Sequence, residues 1–211
     1  MRKTEKNLKK ILILLLSGYV LLVIILLLGA YFFKYFNQPV DWVTADPARS
    51  QSFFPLIGFG SHLGIILWCS TAAICLFTAV IRFKNDKKSI FWFLIFSALL
   101  SFFLLVDDLF EFHEVIFPVY LNISERYIYL GYILYTLSYL IFFRKQFLKL
   151  RYGLLILSII FLSISVTLDQ FFNYFPQIIE DSSKIMGIYT WFFFYVTSCH
   201  SFSIEGEGNE H

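Results

Sequence analysis

The chain has 211 residues, 58% of them hydrophobic and 15% charged, with a mean hydropathy of +0.71. Soluble domains carry about a quarter charged residues and about half apolar ones, so soluble globular and disordered classes are both set aside. The net charge of +2 comes with no basic stripe of interleaved aromatics outside the apolar runs, which argues against a nucleic-acid partner.

Residues 1–10 form a basic leader with Arg2, Lys3, Lys6, Lys9 and Lys10. The apolar run that follows, Ile11–Phe33, is too long for a signal-peptide core and has no small-residue cleavage site after it, so it is read as a retained span. Residues 34–61 form a long loop with Pro39, Pro47, Pro55, Trp42 and several Phe, a composition suited to lying along a membrane interface. The second run is His62–Ile81, the third Ile90–Phe112 and the fourth Tyr127–Phe143. The fifth is Gly153–Phe172, the sixth Lys184–Phe202, and a polar tail covers 205–211. Apolar residues occur all round each run, so length rather than periodicity identifies them as helices.

The expected fold class is therefore all-α: a polytopic transmembrane bundle of six helices over 11–204. Orientation follows from Lys and Arg. The leader, the second-to-third loop and the fourth-to-fifth loop hold 13 of the 17, leaving Lys34, Arg49, Arg126 and Lys184 on the other side. The positive-inside rule then puts both termini in the cytoplasm of an integral membrane protein, with an inner (plasma) membrane as the expected location. The cysteines Cys69, Cys75 and Cys199 all fall inside apolar runs and read as small buried hydrophobes.

Ten of the 15 carboxylates fall on the non-cytoplasmic side. A charge within a span costs about 2.5 kcal/mol or more at mid-membrane, so such residues point to function. The densest group, Asp107, Asp108, Glu111, His113 and Glu114, closes the third span. Asp107, Glu111 and Glu114 share one face of a regular helix, and His113 points away from it unless the helix unwinds. Acids at a helix C-terminus oppose the macrodipole and repel one another, so the group asks for a cation: Arg, Lys or a metal. His62 opens the second span. Asp169 lies near the outer end of the fifth. Glu180, Asp181 and Lys184 open the sixth, with Asp181 as N-cap and Lys184 in reach of both acids. The topology brings all of these to one membrane depth.

Three segments together resemble an uncharacterised family of bacterial multi-pass membrane proteins: Ser61-His62 with Gly64 and Trp68; Asp107-Asp108-Leu109-Phe110 with His113-Glu114; and Glu180-Asp181 with Lys184, Gly187 and Trp191. A fainter resemblance is to the alkaline ceramidase and adiponectin-receptor group of intramembrane zinc hydrolases. That group adds a paired histidine motif on its last helix, which this chain lacks, and one more helix.

The expected function is a metal-dependent, membrane-embedded hydrolase acting on lipid. His62, Asp107, Asp108, His113 and Asp169 are the candidate ligands of a divalent ion (Zn, Mn or Mg), and Glu111 or Glu114 the general base. Two alternatives stand beside it. One is a non-catalytic membrane subunit whose acids pair with a membrane-protein partner. The other is a cation or proton transport component or sensor.

Overall fold

The computed structural model describes residues 2–45, 54, 56–83, 88–171 and 177–207. They form seven α-helices: α1 (Arg2–Tyr35), α2 (Phe59–Phe83), α3 (Lys88–Phe110), α4 (Glu125–Phe142), α5 (Arg144–Lys149), α6 (Tyr152–Phe171) and α7 (Gln177–Glu207). A 3-10 turn covers Val40–Val43, a π-helix covers Phe112–Tyr120, and the described residues include no strand. Where no water can hydrogen-bond the backbone, a helix satisfies every amide within its own segment, and long Leu-, Ile- and Phe-rich stretches favour it.

Four helices are long and apolar enough to cross a membrane: Lys9–Tyr35 of α1, then α2, α3 and α6. The fourth and sixth apolar runs are helical too, as α4 and α7. The tyrosines of α4, with Glu125 and Arg126 at its start, lower its mean hydropathy, and the charges and hydroxyls of α7 do the same. Some boundaries differ from those expected. The leader is helical and continuous with α1, α7 begins at Gln177, and α7 continues through Glu207 into the polar tail.

The chain divides into two compact units, Met1–Gly64 with Leu157–Phe193, and Ile65–Ile156 with Phe194–His211. In the first, Leu22, Leu26 and Phe33 of α1 pack with Val43, Ile57 and Ile185. The described part of the loop after α1 folds onto this core: Val43 and Thr44 are fully buried, and Trp42, Phe54 and Phe33 form a ring cluster. The Gly58 amide donates to the Trp42 carbonyl at 2.9 Å, and the Ser61 hydroxyl to the Thr44 carbonyl at 2.7 Å. The expected residues 46–53 and 55 of this loop lie outside the described ones.

Small and hydroxyl residues join α6 to α7 in the same unit. Ser158 donates to the Gly187 carbonyl at 2.8 Å, and Ser183 to the Phe161 carbonyl at 3.0 Å. Such contacts let helix backbones approach closely in an apolar setting.

The second unit is built around Phe93, ringed by Tyr139, Phe143, Phe147, Tyr195 and Phe202. Within it, Tyr139 hydrogen-bonds Ser97 at 2.5 Å and Tyr195 at 2.9 Å, so a buried hydroxyl chain links α3, α4 and α7. Cys75 and Cys199 are buried as expected, whereas Cys69 is exposed.

Candidate functional site

The acidic group at the end of α3 does not stay helical. After Phe110 the chain turns at Glu111, which holds φ 50° and ψ 44° in the left-handed region, and continues as the π-helix Phe112–Tyr120 with Pro118 inside it. Glu is not a residue that favours this conformation; Gly, Asn and Asp are. The wider ring is visible in the Ile116 amide, which donates five residues back to the Glu111 carbonyl at 3.2 Å. Glu111 itself is buried.

The break rotates His113 onto the carboxylates. Its backbone amide donates to Asp107 Oδ1 at 3.0 Å. Its ring Nδ1 lies 2.6 Å from Asp107 Oδ2, with the N–H direction off the oxygen, so this is an ionic contact without hydrogen-bond alignment. Ring Nε2 lies 3.2 Å from Glu114 Oε1. Both ring nitrogens thus face carboxylates. The partner that these acids call for lies in the same chain: His113 is six residues from Asp107 and adjacent to Glu114. Asp107 and His113 are 4% and 6% exposed, so the pair sits in a desolvated setting where each depends on the other.

Three aromatic residues complete the cluster. The Trp68 indole Nε1 of α2 donates to Asp108 Oδ2 at 2.8 Å. Tyr132 of α4 lies close enough to Asp107 to feel its charge. The Tyr129 ring lies 5.3 Å from the His113 ring. All of these belong to the second unit. Trp68, Tyr129 and Tyr132 were not legible as site residues, because an aromatic residue in a span reads as packing. The pairing of Trp68 with a carboxylate is tertiary.

The remaining candidates lie in the first unit. His62 is exposed at the start of α2, and its Nδ1 donates to the Gly58 carbonyl at 2.8 Å, a local cap. Asp169 is half-buried near the end of α6 and accepts from Gln170 Nε2 at 2.8 Å. Because α7 begins at Gln177, Glu180 stands in its first turn and Asp181 inside the helix, not at the N-cap. Lys184 is half-buried on the next turn.

Among the described residues, no group of three or more His, Cys, Asp or Glu is arranged to hold a metal ion. The cluster as built is an acid–imidazole–acid site on a strained turn, and strained, π-helical segments recur at functional sites.

The fold is that of an all-helical protein with membrane-length apolar helices and one buried acid–histidine cluster. The chain belongs to the DUF8692 family, a domain of unknown function whose model matches residues 18–198. No curated protein and no solved structure matches it.

Proposed function

We propose that the protein is a six-span integral membrane protein of a bacterial plasma membrane, with both ends cytoplasmic, and that it is a proton-handling transport component or sensor. The six spans would be α1, α2, α3, α4, α6 and α7. The concentration of Lys and Arg in alternate loops supports the orientation. The observation that carries the function is the His113 ring held between Asp107 and Glu114 in a buried site. Two carboxylates flanking one imidazole at 2.6 and 3.2 Å offer adjacent groups between which a proton can pass, and a change of charge on any of them alters the contacts across the break at Glu111. The strained turn at Glu111 is the element such coupling would bias. A metal-dependent lipid hydrolase is the weaker reading on the geometry of the donor set.

The test is reconstitution into sealed liposomes with a trapped pH-sensitive dye and a clamped membrane potential. The expected result is faster pH relaxation than in empty liposomes, lost in His113→Gln. Relaxation equal to that of empty liposomes, from protein that is folded and inserted, would overturn the transport reading. A pH-dependent change in intrinsic fluorescence without flux, absent in His113→Gln, would leave the sensor role.

A second reading is a non-catalytic membrane subunit, in which Asp107, Asp108 and Glu114 serve structure through the contacts they make within the chain. It predicts a stoichiometric membrane-protein partner on purification and neither flux nor a fluorescence response.

A further inference from the structure

The second unit carries an open groove of about 960 Å³ between the start of α3 and the junction of α4 with α5. One wall is apolar and faces outward: Trp92 is 52% exposed, Ile141 68% and Phe142 76%. Its other end is basic, formed by the exposed neighbours Arg144 and Lys145. Gln146 hydrogen-bonds the Ser89 hydroxyl and adds polar groups to the lining. No carboxylate lines it among the described residues.

We propose that this groove binds an anionic phospholipid, with acyl chain against Trp92, Ile141 and Phe142 and phosphate on Arg144 and Lys145. The proposal rests on the membrane-spanning reading, which puts the groove at the cytoplasmic interface, where Trp rings settle at headgroup level. The lining matches the occupant in kind: apolar side chains for an acyl chain, polar groups and two cations for a headgroup. Arg presents a planar fork that fits phosphate oxygens, and Lys adds a point charge. With two cations and no acid in the lining, a headgroup of net negative charge is preferred over a zwitterionic one, at about 1 kcal/mol for each basic residue.

The experiment uses the purified full chain in mixed micelles and reads the fluorescence that differs between the protein and its Trp92→Phe variant. Brominated phosphatidylglycerol should quench this signal at a lower mole fraction than brominated phosphatidylcholine. The double substitution Arg144→Gln/Lys145→Gln should raise the mole fraction needed for phosphatidylglycerol by about tenfold or more. Lys149→Gln/Arg151→Gln, which removes two basic residues outside the groove, should leave it unchanged. Equal quenching by the two lipids, or an equal shift in the Lys149/Arg151 variant, overturns the site. Flotation with reconstituted vesicles separates the two levels: protein that inserts but has no lipid preference overturns the groove alone, and protein that fails to insert overturns the membrane reading with it.

Discussion

Asp107 grips His113 twice, through the backbone amide at 3.0 Å on one carboxylate oxygen and the ring Nδ1 at 2.6 Å from the other. The two residues are six apart, too far for a carboxylate to reach both groups along a regular helix, and the turn at Glu111 brings them together. Asp107→Asn keeps an acceptor for the amide but removes the charge beside the ring. It should cost about 3 kcal/mol or more, since removing one partner leaves the other charge buried. His113→Gln should cost a similar amount. The double variant should be much less destabilised than the sum of the singles, and thermal unfolding in detergent measures the coupling. Simple additivity would mean the pair is not an energetic unit.

Glu111 offers a separate test of backbone strain. Glu111→Gly and Glu111→Ala both delete the carboxylate, so their difference isolates the left-handed conformation at φ 50°. The glycine variant should be more stable by about 1 kcal/mol. If alanine proved equal or better, the turn would not hold that conformation in the membrane or micelle.

Trp68→Phe keeps most of the ring volume of a residue only 2% exposed and removes the indole donor to Asp108. The expected loss is about 2 kcal/mol, the range for a hydrogen bond to a charged group. Trp68→Phe/Asp108→Asn should cost less than the sum of the two single substitutions, because both remove the same hydrogen bond. Unfolding midpoints of the three variants decide it.

At Gly187 the close approach of α6 and α7 leaves no space for a side chain. A Cβ there would meet Leu162 Cγ at 2.8 Å and the Leu162 backbone nitrogen at 3.1 Å. Gly187→Ala should therefore cost about 1–3 kcal/mol as the helices separate. Gly153→Ala, whose Cβ meets nothing within 4 Å, should be neutral or slightly stabilising. Comparable effects at the two glycines would contradict the packing.

The middle helices were legible to within a few residues, as with Gly153–Phe172 against Tyr152–Phe171, because long apolar runs carry their own backbone solution, whereas α1 and α7 extend well beyond their apolar runs. The acids and histidine at 107–114 were legible for a related reason: charge in an apolar run is conspicuous. The N-cap assignment of Asp181 failed because α7 starts four residues earlier, at Gln177, a boundary that charge alone does not mark. His62 was visible as a polar residue at a helix start, yet its ring is engaged by a carbonyl four residues back.

By itself, then, the sequence determined the helical class, the approximate span of each apolar helix and the position of the acidic cluster, because length, apolarity and charge are properties of contiguous residues. Only the tertiary structure decided that α3 breaks at Glu111, that His113 turns onto Asp107 and Glu114, and that Trp68 and Tyr132 attend the carboxylates. Those outcomes depend on which groups meet across helices, and a buried charge takes whatever partner the packing brings within reach.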